Sequence, residues 1–411
     1  MTDVFVAGVS MTKFGPQLDE SVKSLSAQSV RQCLDDAGAD VKDIGTVFFS
    51  NAAQGYVEGQ ISIPGQIALQ DTGLAGVPIV NVENACASGS TALWLARNHL
   101  LAGQADIVLA VGTEKMAFED DKLAQRVWSA FEGGGDIETM DATLTTLGEL
   151  SKGLEFEEAT GRRTLFMDIY TLLCRAHMAK FGTTQEQLAQ ISSKNHHNST
   201  LNPKCHYNRP YSVEEILAAR PLGYPLTVPM CSPLSDGSAA TLLCTKKGLK
   251  KLNANNKAIR VDSCVLTSST PRDWDDFDNH LARRAAFQAY AQAGIGPEDV
   301  DVVEVHDAAS FGELFMTELL GFCEMGSGGE FAESGATALG GRLPVNPSGG
   351  LESKGHPIGA TGLGQIYELV TQLRGTAGPR QVKGANVAVQ ENGGGLLGIE
   401  EGAAVVTVLS N

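Results

Sequence analysis

The chain repeats itself, and a repeated unit restricts a fold more than any single motif does. Residues 37–53, AGADVKDIGTVFFSNAA, align without a gap on residues 293–309, AGIGPEDVDVVEVHDAA, 256 positions further on. Each stretch reads as a helix end, a turn and a buried strand. A second pair sets CASGSTALWLARNHL, from Cys86, on HPIGATGLGQIYELV, from His356, and both continue at helical spacing through Leu93, Ala96 and Leu100 or Leu363, Ile366 and Val370. A third pair, DGSAATLLC at 236–244 and EGAAVVTVL at 401–409, closes each half with an apolar strand. Three pairs in one order predict two similar halves of alternating strands and amphipathic helices, an α/β class of layered architecture.

The first half covers residues 1–115 and 226–256 and the second covers 257–411, leaving 116–225 without a counterpart. That segment is rich in charge and chain breaks and is expected to lie over the core as a lid or binding loop. At 411 residues the chain exceeds the ~250–300 at which one core stops growing, so two halves also suit its length. A net charge of −17 argues against nucleic acid or an anionic membrane as the main partner. No basic leader opens the chain and no stretch approaches the ~18 apolar residues of a membrane span, so a soluble, unexported protein is expected. Eight cysteines without a C-x-x-C pair point to reduced thiols and a cytoplasmic setting.

Three residues stand where chemistry is expected. Cys86 lies between an apolar strand and a helix start, where unpaired N–H groups and the helix dipole would lower its pKa and make it a nucleophile. A packed core cysteine is the competing explanation. His356 holds the equivalent place in the second repeat, and a pseudo-twofold axis would bring the two helix starts together. His306 follows the run Val302-Val-Glu-Val305 at a strand end, where a lone histidine is usually structural. It is their joint placement that favours function. Gly393 to Gly398 matches G-x-G-x-x-G, but the chain has no room for the helix, strand and acidic residue that a dinucleotide site requires. His196-His197 and Cys205-His206 lack finger-like spacing, so no metal site is expected. Arg162, Arg163, Lys180, Lys194 and Arg209 read as a solvated face.

The motifs Asn84-Ala-Cys-Ala-Ser-Gly89, Glu304-Val-His-Asp-Ala308, Asn346-Pro-Ser-Gly-Gly-Leu351, Gly355-His-Pro-Ile-Gly-Ala-Thr-Gly362 and Gln390-Glu-Asn-Gly-Gly394 together resemble the thiolase superfamily, most closely its sterol-carrier-protein branch, over essentially the whole chain. The resemblance implies a duplicated fold of five layers, α/β/α/β/α, with no bound cofactor and with coenzyme A and acyl-CoA as substrates. It implies that Cys86 carries the acyl group, that His356 deprotonates it and that His306 joins His356 in binding the enolate's thioester oxygen. Backbone N–H groups of Cys86 and Gly393 would form an oxyanion hole, and Ser232 would contact the pantetheine arm. Such enzymes generally carry a second cysteine for proton transfer. Here those positions hold Ala308 and Glu391, which makes Glu391 a candidate acid against the simpler picture of an outward-facing loop glutamate. A homodimer or dimer of dimers follows from the resemblance. The departure keeps two alternatives open: a decarboxylating ketoacyl-synthase-like condensation, or a thiolase-like subunit that works with a small OB-fold partner on another C–C cleavage of retro-aldol type.

Overall fold

A computed structural model describes residues 3–152, 154, 164–252 and 257–411. Eleven strands occur among them: β1 (Val4–Met11), β2 (Thr46–Ser50), β3 (Ile79–Val82), β4 (Ile107–Glu114), β5 (Pro221–Gly223), β6 (Leu226–Thr227), β7 (Gly237–Thr245), β8 (Ile259–Ser268), β9 (Val302–Glu304), β10 (Val387–Gly394) and β11 (Ala403–Ser410). β5 and β6 form a small hairpin, and the other nine make one sheet in the order β3-β2-β4-β7-β1-β8-β11-β10-β9. Apart from β3, which has no counterpart, that order mirrors itself about the β1–β8 junction. β2 with β4 and β9 with β10 are parallel, whereas β4 with β7 and β10 with β11 are antiparallel. Among the described residues the halves pair edge to edge through Phe5–Arg260 and Val6–Ile259.

The repeated segments fold alike for local reasons. The Val22–Ala37 helix ends at Gly38 (φ 64°) and the Leu281–Ala293 helix at Gly294 (φ 75°), left-handed caps that glycine adopts without a Cβ penalty. One 3-10 turn then leads into β2 and another into β9. β7 is buried along its whole length and β11 along all but its last residue, as continuous apolar runs in central strands require.

The core has five layers. Val30, Cys33 and Leu34 of the Val22–Ala37 helix cover the outer face of the first half against Val47, Leu109 and Leu242. The Leu281–Ala293 and Ser310–Leu319 helices cover the second half through Ala285, Ala289 and Phe311. Between the two walls lie a first central helix, Ser88–Leu101, and a second, Thr361–Leu373. Their Leu93, Ala96, Leu363 and Ile366 pack with Val6 and Leu243 from one wall and Val261 and Val405 from the other. Between β4 and β7 the chain leaves the sheet, and its Leu165–Phe181 and Gln185–Ser199 helices bury Ile169, Leu173 and Leu188 against the second half.

The turn leading to the second central helix rests on one buried ion pair. Lys354 has no exposed side-chain surface and donates to Glu304 Oε2 at 2.9 Å and to Ser348 Oγ at 2.8 Å. Removing the lysine would strand a buried carboxylate. Lys354→Ala should therefore lower unfolding stability by roughly 3–5 kcal/mol, against ~0–1 kcal/mol for Lys180→Ala, whose pair with Asp275 is exposed. Equal shifts in denaturant midpoints would contradict this.

Candidate active site

Cys86 is presented by a strained turn. Ala85, just before it, sits at φ 47°, a left-handed conformation that is uncommon for a residue with a Cβ. The turn is held by Ala85 N–H donating to Glu83 at 2.6 Å, by Asn84 N–H donating to Ser88 Oγ at 2.8 Å, and by that hydroxyl donating to Ala85 O at 2.6 Å. The result is a single 3-10 turn, Ala85–Ala87, that feeds the first central helix.

His356 arrives from the other half of the molecule. Its Nε2 lies 3.1 Å from Cys86 Sγ, and its Nδ1 lies 2.6 Å from Thr361 Oγ1. The Thr361 hydroxyl spends its own proton on Pro357 O at 3.0 Å, so it accepts from Nδ1–H. This assigns the tautomer: Nε2 carries the lone pair and faces the thiol. His306 completes the group, its ring centroid 5.3 Å from that of His356. The donor atoms of Cys86, His306 and His356 all lie within 4.8 Å of one another. Neither ring nitrogen of His306 has a hydrogen-bond partner among the described residues.

The segment 346–355 explains how His306 and His356 meet. Asn346 (φ 52°), Gly349 (φ 107°), Gly350 (φ 60°) and Gly355 (φ 108°) wind it tightly. A Cβ on Gly350 would overlap Asp307 Oδ2, while Asp307 Oδ1 accepts from Leu351 N–H at 2.7 Å. The residue next to His306 is thereby tied to the turn that carries His356.

Electrostatically the site reverses one expectation. Burial pushes the Cys86 thiol up to about 12, assisted by the charges of Glu114 and Glu401, so desolvation outweighs the helix start that was expected to lower it. Burial, then His306 and Lys354, hold His356 well below the usual histidine range. Burial lowers His306 to about 4, although the Gly393 backbone, lying outside hydrogen-bond geometry, partly favours the charged ring. At rest the pair is a neutral thiol hydrogen-bonded to a neutral imidazole.

These groups open on a cavity of about 390 Å³. Ser232 and Ala308 line it, and Trp128, Phe131, Phe166, Tyr170, Phe311 and Phe315 give it an aromatic wall. Glu391 does not line it. That residue lies on β10 rather than on an outward loop, is fully buried, and accepts the His306 backbone N–H at 3.0 Å from behind. Gly393 also lies one residue back, the wall being formed by Gly394 and Gly395. Lining residues not anticipated as site residues include Cys231, His206, Arg220, His280, Glu400 and Glu401. Glu401 carried a sequence signal as the first residue of the third repeat, and His206 was noted only as part of a Cys-His pair weighed for metal.

The remaining sequence candidates fall elsewhere. His196 is engaged by Pro229 O and Ser353 Oγ, and Cys205 by Ser348 O. Lys180, Lys194 and Arg209 are paired with Asp275, Glu313 and Glu215, while Arg162 and Arg163 lie outside the described residues. Gly393 to Gly398 leads from β10 into the turn before β11, without a helix.

A family model described as "Thiolase, N-terminal domain" matches residues 4–209, and one described as "Thiolase C-terminal domain-like" matches 265–411. The chain belongs to the thiolase family. It is 37% identical over 417 residues to sterol carrier protein 2 of Oryctolagus cuniculus, covering 98% of this chain and 71% of that one. It is 36% identical over 396 residues to an acetyl-CoA acetyltransferase of Methanothermobacter thermautotrophicus, covering 96% and 97%. Benzoylsuccinyl-CoA thiolase subunit BbsB of Thauera aromatica is 34% identical over 388 residues, covering 92% and 91%. Among solved structures the Ltp2-ChsH2(DUF35) aldolase superposes with a TM-score of 0.77 at 20% identity, covering 99% and 97%. Human mitochondrial 3-ketoacyl-CoA thiolase gives 0.70 at 16%, covering 100% and 99%. The protein is a thiolase-type acyltransferase, and the layered, duplicated fold is that of these neighbours.

A neutral Cys–His pair makes a kinetic prediction. Alkylation of Cys86 by iodoacetamide should rise about tenfold per pH unit between pH 6 and 9, with no acidic plateau, because the reactive thiolate is scarce until high pH. A flat rate below pH 7, measured by peptide mapping, would mean a resting ion pair instead. The same three donors are close enough to chelate a soft divalent ion, so micromolar Zn²⁺ should inhibit turnover and block Cys86 alkylation, and EDTA should restore both.

Proposed function

We propose that the protein interconverts a 3-oxoacyl-CoA and free CoA with acetyl-CoA and a shorter acyl-CoA whose acyl group is bulky and apolar. The reading is carried by the 3.1 Å contact between Cys86 Sγ and His356 Nε2 at the floor of an aromatic cavity. Nε2 takes the thiol proton as sulfur attacks the 3-oxo carbon. The N–H of Cys86 and those of the 393–395 run meet the developing oxyanion. The enolate's thioester oxygen faces the free ring edge of His306 and the newly protonated His356. Glu391 works through His306, fixing its backbone. Ser232, half-buried at the wall with its N–H donated to Ala308 O at 2.9 Å, is the residue assigned to the pantetheine arm. The segment 116–225 supplies Trp128, Phe131, Phe166 and Tyr170 to the acyl wall and acts as its lid.

The assembly we infer is a homodimer, or a dimer of such dimers, formed across the exposed edge of β3. Val80 on that edge is 43% exposed, and nearby Tyr56, Ile61 and Ile63 are 58%, 80% and 55% exposed. All eight cysteines are free thiols, which suits the cytoplasm. Among the described residues no helix is long and apolar enough to cross a membrane. A second reading, a catalytic subunit that needs a small partner, is favoured by the relative described as a thiolase subunit.

A panel of 3-oxoacyl-CoA substrates with free CoA should give acetyl-CoA and shortened acyl-CoA, with branched or aromatic acyl groups turned over faster than acetoacetyl-CoA. Cys86→Ala should abolish turnover while the fold persists, and His356→Ala should slow acylation ~10²–10⁴-fold. Absence of thiolysis across the panel, or dependence on a malonyl thioester, would defeat the reading. Activity appearing only with a second polypeptide would select the subunit form. Val80→Lys should shift sedimentation from dimer to monomer.

A further inference from the structure

The proton that must reach C2 of the departing acetyl unit has no cysteine to carry it, since Ala308 and Glu391 occupy the usual positions and Glu391 is turned away from the cavity. We propose that Glu401 is the acid and base at C2. This rests on the thiolase reading and adds a residue to it.

The placement is geometric. Glu401 lines the cavity together with Cys86, His306 and His356. Its carboxyl lies over the glycine strand: a Cβ built on Gly393 would stand 2.9 Å from Glu401 Cγ and 3.2 Å from its Oε1. It makes no side-chain hydrogen bond to another residue among those described, and His280 Nε2 stands 3.9 Å from its Oε2. Its neighbour Glu400 is instead fully engaged, by Arg272 at 2.7 Å and by the Thr270 and Leu281 N–H groups at 3.2 Å.

By sequence the third repeat sets Glu401 on Asp236, which is buried and accepts from Lys115 Nζ at 2.7 Å and from the N–H groups of Met116, Ala117 and Gln17 at 2.6, 2.8 and 2.8 Å. By the register of β4 on β2 and of β10 on β9, Lys115 corresponds to Gly395. The register of β4 on β7 (Glu114 on Gly237) and of β10 on β11 (Gly394 on Ala403) puts Gly402 at the place of Asp236, so Glu401 stands one residue before it, beside a strand end that holds glycine where the first half has Lys115 and that borders the cavity. Burial, with the charge of Glu400 next, then lifts the Glu401 carboxyl to about 7, where it can both give and take a proton. Cys231 also lines the cavity, but burial and the Glu352 charge push its thiol far above that range.

In thiolysis the Cys86 proton passes to His356 Nε2, the C2–C3 bond breaks, and the enolate carbon takes the proton of Glu401–OH to give acetyl-CoA. The Glu401 carboxylate then takes the thiol proton of incoming CoA as its sulfur attacks acyl-Cys86. The released Cys86 thiolate recovers its proton from His356, and every group returns to its starting state.

The test is hydrogen–deuterium exchange at C2 of acetyl-CoA, measured beside the acylation burst at Cys86 with a pre-activated acyl thioester. Glu401→Gln should lower exchange at least about a hundredfold while the burst survives, which also shows that the variant is folded, and Glu401→Asp should recover part of the exchange. Exchange in Glu401→Gln at the parent rate overturns the assignment, as does loss of exchange in Cys231→Ala but not in Glu401→Gln. A parent enzyme that acylates without exchanging overturns it too. A parent that neither acylates nor exchanges removes the thiolase reading itself.

Discussion

The structure depends on how closely two helix starts approach at the centre of the molecule. A Cβ on Gly89 would come within 3.1 Å of Gly359 O, and one on Gly362 or Gly112 would overlap Ser90 or Gly359. Only backbone fits there. This contact brings the turn before the first central helix against the turn before the second, and so sets Cys86 on His356 across 270 residues of sequence. The glycines of Gly355-His-Pro-Ile-Gly-Ala-Thr-Gly362 are thus packing requirements of the two-half assembly as much as features of a loop. A shift of an ångström between the halves would break the Sγ–Nε2 contact before it disturbed either core, since each half holds its own outer apolar cluster.

Burial then decides the charge state. Around the site, several buried carboxylates sit against a cation: Asp236 with Lys115, Glu304 with Lys354, Glu400 with Arg272. Glu114, lifted by burial to about 7, is instead saturated with donors from Ala52, Ala53, Asn51 and Gly359, and so ties the end of β2 to the turn beside His356. The reacting groups have neither arrangement. Cys86 and His356 are neutral, and Glu401 makes no ion pair with a lysine or arginine among the described residues. Such a site carries little charge of its own before a substrate enters.

Much of this was legible in the sequence, because repetition and motif spacing are local. The offset of 256 placed β2 on β9 and the third repeat placed β7 on β11, with Gly38 and Gly294 marking equivalent helix ends. What was not legible depends on neighbours distant in the chain. A helix start suggested a low pKa for Cys86, but the thiol is enclosed by the opposite half, and desolvation has no signature in the residues around it. Glu391 was read in a glycine-rich loop, whereas its run continues β10, so pairing with β9 and β11 turns its side chain behind His306. The aromatic wall comes partly from the unrepeated segment, whose helices show amphipathic spacing but not which cavity they face.

The two halves have diverged in a way that divides the chemistry between them. In the first, β4 ends in Glu114 and Lys115, and these side chains fill the space at the strand end with hydrogen bonds to Ala52 and Gly359 and an ion pair to Asp236. In the second, the corresponding strand ends in Gly394 and Gly395, and a Cβ on Gly394 would overlap Asn84 O and Ala87 N. The glycines let the Cys86 turn descend onto β10 and leave room beyond it for a ligand. One half therefore supplies Cys86 on the turn between β3 and the first central helix, and the other supplies the histidines and an emptied strand end that borders the cavity. A symmetric pair would have two closed ends and no site, so it is the loss of side chains on one side of the axis that makes the duplicated scaffold able to bind a substrate.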